Sequence, residues 1–455
     1  MDSSIDPSIF RDYDIRGVYP SQLSETSIAQ IGKAICLFLK VSTIAIGYDC
    51  RQSSPALFEA LAKSIMEMGV GVVNLGQIST EIHYFASGSR NYPANIIVSA
   101  SHNPPQYNGL KIVTAGVVPL SGEYGLPQIK SLAQRGAFTK ALKPATMKNE
   151  SVIDEWITHA LSFVDVKNLK PLTVVVDAGN GMAGISWIRV IEKLPVKIIP
   201  MFFEPDGTFP NHLPDPLNEQ NLTSLKKKII EEKADLGFAM DGDADRLFVL
   251  DETACLLSGT ITTALLADLI VSRRGKAPVL YNAVCGKIVP ETIEKHGGIP
   301  VRVRVGHSFI KRAMKDYHAV FAGEHSGHFY FDKNFNADSS LIAGLLFLEY
   351  LSQKNVPLSQ LVSEFAKYKA SGEINFKVDD TNRVIDAIAN RFSDAAGQDH
   401  LDGLSVWNPN FWFNLRASKT EPLLRLNLEA DNDTVMKQKL QEVTGVLISL
   451  GGVKQ

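Results

Sequence analysis

Apolar positions along this chain recur with two periods, and the switches between them predict a run of alternating helices and strands. Ile28, Ile31, Ile35 and Leu39 fall at helical spacing. So do Phe58, Leu61, Ile65 and Met68 behind Pro55, a residue suited to the first turn of a helix. Short continuous apolar runs predict buried strands at Thr43–Gly47, Val70–Val73, Asn95–Val98, Thr173–Val176, Leu236–Met240 and Leu247–Leu250. Pro278–Leu280, Pro300–Val303 and Glu373–Lys377 are further strand candidates. Three more helices are expected from Ile261, Leu265 and Leu269, from Val384, Ile388 and Phe392, and from Met436, Leu440, Val443 and Leu447. Leu341–Leu348 reads as part of a buried helix, because a membrane span needs ~20 apolar residues. Strands that alternate with helices imply α/β layers, in which ligands gather where strands end and loops begin.

Length and composition narrow this picture. A chain of 455 residues is too long for one hydrophobic core, so several domains are expected. Its 45% apolar and 21% charged content is ordinary for a soluble protein. A net charge of −3 argues against a nucleic acid or an anionic membrane as partner, so any phosphate-binding field must be local. Cys36, Cys50, Cys255 and Cys285 lack metal-ligand spacing and read as reduced thiols. The amino-terminal residues carry acids and no apolar core, unlike a signal peptide, so a cytoplasmic protein is expected. No repeat of fixed short period is evident.

Candidate chemistry concentrates in a few stretches. After the Asn95–Val98 run, Asn103, Pro104 and Pro105 stop regular structure and leave Ser101 on a turn at a strand end. His102, Asn108 and Lys111 follow closely; a plain polar turn is the alternative. Asp241, Asp243 and Asp245 stand at alternate positions with only Gly242 and Ala244 between them. Such carboxylates are tolerable together around a hard cation, and Mg²⁺ takes oxygen ligands. An EF-hand is rejected, since Arg246 stands where that loop needs glycine. Gly179, Gly181 and Gly184 follow a strand in a dinucleotide-binding pattern, with Glu204 downstream, which keeps an NAD-dependent dehydrogenase in view. A tight strand-to-helix turn needs the same glycines for steric reasons. The turn-rich segment Glu204–Pro216 is assigned no chemistry. Gly306 and His307 open a helix after a strand, where backbone N–H groups can hold phosphate, and Lys311 adds a second basic group. Glu324, Ser326 and His328 would point to one side of an extended segment and could grip sugar hydroxyls. Arg416, Ser418, Lys419 and Thr420 have the composition of a phosphate nest.

These stretches, in this order, resemble the α-D-phosphohexomutases, and the phosphomannomutase/phosphoglucomutase branch above all. The serine loop, the three-aspartate loop, the Gly323–His328 segment and the Arg416–Pro422 segment carry the resemblance, which spans nearly the whole chain. It implies three similar α/β layered domains with mixed sheets plus a C-terminal α+β domain around a central cleft. The expected units are residues 1–145 with the serine loop, 146–252 with the metal loop, 253–368 with the sugar loop and 369–455 with the phosphate loop. It implies a reversible phosphoryl transfer between C1 and C6 of mannose or glucose phosphate, through phosphoserine at Ser101 and a hexose 1,6-bisphosphate that is intermediate and activator. One Mg²⁺ per chain would bridge Ser101 and the three carboxylates, with Arg246 adding positive charge. Tyr13 and Arg16 are carried over as active-site residues. Arg16, His102, Lys111 and His328 are the acid–base candidates, and an arginine's high pKa makes Lys111 and His328 better suited. The substrate's own phosphate would dock on Arg416, Ser418 and Thr420, with Arg425 nearby. Lys419 stands where the family usually has asparagine. Lys287 is left out of the site. His325 favours glucose or mannose over glucosamine phosphates, where the family usually shows glutamine. A phosphoglucosamine mutase, a serine- and metal-dependent sugar phosphatase and a non-catalytic sugar-phosphate binder stay as alternatives. A monomer or homodimer is expected.

Overall fold

The computed structural model describes residues 5–418 and 423–455, which form four β-sheets flanked by helices. Strands Ile15–Val18, Tyr107–Thr114, Ala94–Val98, Thr43–Tyr48, Gly71–Gln77 and Met147–Asn149 lie side by side in that order in the first sheet. Its middle is parallel, and Tyr107–Thr114 runs antiparallel to both of its neighbours. Leu247–Asp251, Leu236–Met240, Thr173–Asp177 and Lys197–Met201 make the second sheet, again parallel but for its first strand. The third combines parallel Ile299–Val303, Pro278–Asn282 and Phe321–Gly323 with antiparallel Phe329–Phe331. The fourth is antiparallel throughout and packs against helices Thr381–Arg391 and Asp433–Ser449. The chain is therefore three α/β layered units with mixed sheets and a C-terminal α+β unit.

Burial explains this grouping. One hydrophobic cluster spans the first three units and includes Trp156, Trp187, Phe238, Phe329 and Phe347. Helix Ser340–Lys354 lies in its centre and is apolar nearly all round, as a helix enclosed on every side must be. The fourth unit has its own core, including Phe376, Leu404, Phe413, Leu426, Val443 and Leu447. The helices expected from periodicity form at Glu25–Leu39 and Ser54–Glu67. Ser24 and Ser27 make a reciprocal capping box at the start of the first of these, satisfying N–H groups that a helix end leaves open.

Helix Thr80–Arg90 has no clear apolar stripe in the sequence. Glu81, His83 and Ser87 are buried along with Ile82, Tyr84 and Phe85; Glu81 accepts from Ser339 and Leu341 of another unit and His83 pairs with Asn95, while Ser87 Oγ has no hydrogen-bond partner. Segment 324–328 is a turn rather than an extended run. Phe321–Gly323 and Phe329–Phe331 form an antiparallel pair, so the chain must reverse between them, and the Glu324 N–H donates to the His328 carbonyl at 2.9 Å.

Candidate active site

The serine loop connects antiparallel strands Ala94–Val98 and Tyr107–Thr114. Ser101 is buried and has φ of +51°, a left-handed conformation that costs on the order of 1 kcal/mol for a residue with a Cβ. Its N–H donates to Ser99 Oγ at 3.1 Å. Its own hydroxyl donates to Asp241 Oδ2 at 3.0 Å and lies 3.1 Å from His102 Nδ1. Burial, Arg246 and Arg16 all hold the His102 ring well below the usual imidazole range, so it is neutral. Arg16 reaches the same loop, with Nη1 donating to Asn103 Oδ1 at 2.5 Å.

The three aspartates occupy the turn between Leu236–Met240 and Leu247–Asp251, and all are buried. Asp241 Oδ1 accepts from the N–H groups of Asp245 and Arg246 at 3.2 Å each, which fixes the loop. One oxygen from each aspartate lies within 4.8 Å of the others. Asp243 Oδ1 and Asp245 Oδ1 are buried without a hydrogen-bond partner. Buried oxygen acceptors lacking donors are costly, and a hard cation with oxygen ligands answers that need. Lys111 Nζ lies 2.6 Å from both Asp243 Oδ2 and Asp245 Oδ2. Burial pulls that ammonium down, but the two carboxylates outweigh it and lift it well above the usual lysine range. Lys111 is thus a held cation. Burial and the neighbouring carboxylates push Asp241 up. Burial and Asp245 push Asp243 up as well, but Lys111 prevails and its net shift is downward.

His328 joins this loop from the third unit. Arg246 Nε donates to its Nε2 at 2.9 Å, and its Nδ1 donates to Asp338 Oδ2 at 2.7 Å, so both ring nitrogens are engaged. Lys311 is buried 2.6 Å from Asp338 Oδ1, with its ammonium 3.8 Å from the Tyr84 ring centre. It therefore does not present a charge to a phosphate, contrary to expectation, because the buried Asp338 needs a counterion. Tyr13 donates to the Val305 carbonyl at 3.3 Å and packs on His307 and Phe309. His307 is held neutral by burial and by Lys311 and Lys111. Glu324 is buried and accepts from the Tyr330 hydroxyl, Asn282 Nδ2 and the Gly306 N–H, so Gly306 and Glu324 meet. Ser326 stands half-buried at the tip of the turn. His325 is turned away, with Nδ1 3.3 Å from Thr260 Oγ1.

The fourth unit supplies the basic loop between Phe411–Ala417 and Leu423–Ala430. Arg416 and Arg425 face each other across these strands, and Glu373 bridges them at 3.4 and 3.1 Å. Arg425 also donates to Ser418 Oγ at 3.3 Å. Lys419 and Thr420 lie outside the described residues. Lys287 leads elsewhere, with Nζ donating to the Pro409 carbonyl at 3.1 Å.

The glycine-rich turn after Thr173–Asp177 faces polypeptide. A Cβ on Gly181 would lie 2.7 Å from the Gly242 carbonyl oxygen, and the Met182 N–H donates to that oxygen at 2.9 Å. Gly181 lets the metal loop approach, Gly179 meets Pro214 and His212, and Gly184 meets the Phe203 backbone, which removes the basis for a dinucleotide site. Two functional residues had no sequence signal of their own. Thr80 Oγ1 donates to Asp243 Oδ2 at 2.5 Å, and Arg51 grips the serine loop from beneath.

Family models and known relatives match this chain along nearly its full length. The α/β/α domain I, II and III models of phosphoglucomutase/phosphomannomutase match residues 7–140, 154–254 and 258–368, and the C-terminal domain model matches 373–445. A protein of Xanthomonas campestris pv. campestris named for phosphohexose mutases is 38% identical over 443 residues, 96% of this chain and 98% of that protein. A phosphomannomutase of Methanocaldococcus jannaschii is 37% identical over 451 residues, 98% of each. The crystal structure of a phosphoglucomutase/phosphomannomutase family protein from Burkholderia thailandensis superposes with a TM-score of 0.89 at 29% identity, over 98% of each chain.

Proposed function

The chain belongs to the phosphoglucomutase/phosphomannomutase family of enzymes, and from that premise we propose that it moves a phosphoryl group between C1 and C6 of mannose or glucose phosphate through phosphoserine at Ser101. The observation that carries this reading is the 3.0 Å contact between Ser101 Oγ and Asp241 Oδ2, which brings the hydroxyl of one sheet to the carboxylates of the next. Phosphoryl transfer asks a protein for positioning and charge neutralisation more than for covalent help. Asp241, Asp243 and Asp245 would hold Mg²⁺, one ion per chain, and their donor-poor buried oxygens suit it. The bound ion would neutralise the phosphoryl oxygens on Ser101.

The chain's own groups supply the rest. Arg246 and Lys111 add fixed positive charge at the transfer site. Arg16 holds the loop through Asn103, and neutral His102, with Nδ1 3.1 Å from the serine oxygen, orients that oxygen. Arg16, His102, Lys111 and His328 stay the acid–base candidates: Lys111 is held charged, His328 has both nitrogens engaged, and the burial and arginines that keep His102 neutral make it a weak base. Glu324, Ser326, His328, Tyr13, Gly306 and His307 would meet the sugar, and Arg416, Ser418 and Arg425, with Lys419 and Thr420, its far phosphate. A hexose 1,6-bisphosphate would form on the first transfer, turn end over end, and return its other phosphate to Ser101. All these groups come from one chain, and a monomer or homodimer is the assembly we propose. No helix among the described residues is long and apolar enough to cross a membrane, and the cytoplasm is the compartment we propose.

The test is a coupled assay on mannose, glucose and glucosamine 1-phosphates. Wild-type protein should produce the mannose or glucose 6-phosphate, faster with a trace of hexose 1,6-bisphosphate. Ser101→Ala should lower kcat by more than ~1,000-fold, as loss of a nucleophile does. Phosphate released mole for mole with substrate loss would mean a phosphatase, and a fully active Ser101→Ala would end the phosphoserine reading.

A further inference from the structure

The polar stretch after Thr43–Tyr48 and the proline-rich segment Glu204–Pro216 meet at one side chain, Arg51. Its guanidinium is buried, and four backbone carbonyls of the serine loop converge on it. Nη2 donates to Ser101 O at 2.7 Å and Asn103 O at 2.5 Å. Nη1 donates to Pro104 O at 2.7 Å and Tyr107 O at 3.0 Å. Asp49 supplies the counterion, 3.2 Å from Arg51 Nε, and also accepts from the Arg51 N–H. The proline-rich segment covers the clamp from the second unit. Phe209 lies with its ring centre 5.1 Å from the guanidinium carbon, and a Cβ on Gly207 would sit 2.4 Å from the Arg51 Cα.

Resting on the phosphoserine reading above, we infer that Arg51, sealed by Phe209, is the positioning residue that holds Ser101 in its strained left-handed conformation and aims its hydroxyl at the metal loop. The prolines make the loop stiff; the Pro104 carbonyl also accepts from the Tyr107 N–H at 3.0 Å, and Arg51 binds it together with the carbonyls of Ser101, Asn103 and Tyr107. A planar fork with fixed donors satisfies several carbonyls at set angles. The ammonium of a lysine is a point charge on a flexible stem and fixes no such geometry. Arg51 touches neither the three carboxylates nor the sugar and basic loops through any of these bonds, so its effect should fall on the transfer step. Misplacement of a reacting group by an ångström can cost about 100-fold in rate.

Arg51→Lys keeps the charge and loses the fork. It should lower kcat by about 10- to 100-fold while KM for the hexose 1-phosphate shifts by less than about threefold. The fraction of folded protein, read by circular dichroism, should match wild type. An unchanged kcat, or a loss that tracks the unfolded fraction, overturns the inference. If Arg51→Lys does not accumulate as folded protein, Phe209→Leu decides, since it fills the same space without the aromatic face. It should lower kcat by about threefold at constant KM, and no change would overturn the inference. Ser101→Ala is run alongside: an active Ser101→Ala sinks the phosphoserine reading itself, whereas an inactive one with a wild-type-like Arg51→Lys sinks only the role of Arg51.

Discussion

Thr80 belongs to no motif, yet its hydroxyl donates to Asp243 Oδ2 and its N–H to the Asp243 carbonyl at 3.0 Å. A group that orients a metal ligand typically changes metal affinity by about 10- to 100-fold when removed. Chelation should abolish turnover and Mg²⁺ should restore it. Thr80→Val should raise the Mg²⁺ concentration for half-maximal activity by about tenfold, measured by titrating metal-stripped protein. An unchanged activation curve would show that the threonine does not orient the ligand. Ser101 and the three aspartates were legible because each set of chemical groups is contiguous in sequence. Thr80 and Arg51 were not, because a threonine 163 residues from its partner and an arginine 50 residues from Ser101 leave no local pattern. Lys311 erred the other way: its position suggested phosphate, while a buried aspartate claims it.

Among the elements, helix Thr80–Arg90 was hidden from periodicity by its buried polar face. Glu81 on that face accepts from Ser339 Oγ at 2.8 Å and the Leu341 N–H at 3.2 Å, so it caps the central helix Ser340–Lys354 from another unit. Burial pushes the Glu81 carboxyl up to about 7. The folded protein therefore keeps a proton that the unfolded chain releases, so this contribution to stability is full below about pH 4.5 and is lost as pH rises through about 7. Glu81→Gln keeps an acceptor and removes the ionisation. Its thermal midpoint should exceed that of wild type at about pH 8, with the gap closing by about pH 5. A gap independent of pH would contradict this account. The 324–328 turn teaches a related lesson: alternate spacing suggested an extended face, but only the pairing of its flanking strands decides direction.

At the scale of the molecule, the functional loops share one address. The serine, metal, sugar and basic loops each connect two adjacent antiparallel strands, one pair in each sheet. Sequence showed the alternation of strand and helix but not this equivalence, since it lies in how the flanking strands pair and not in shared residues. One cluster spans the first three units, beside a second core within the first unit, while the unit with the basic loop has a core of its own. That division suits a site whose chemistry is rigid and whose anchor meets either end of a sugar bisphosphate. We propose that one serine carries the phosphoryl group between substrates. Wild-type protein incubated with hexose 1,6-bisphosphate and freed of excess should yield, by peptide mass mapping, one phosphate on Ser101. That phosphate should leave on addition of hexose monophosphate and reappear as bisphosphate. Turnover with Ser101 unmodified throughout, or with the phosphate on another residue, would contradict the account.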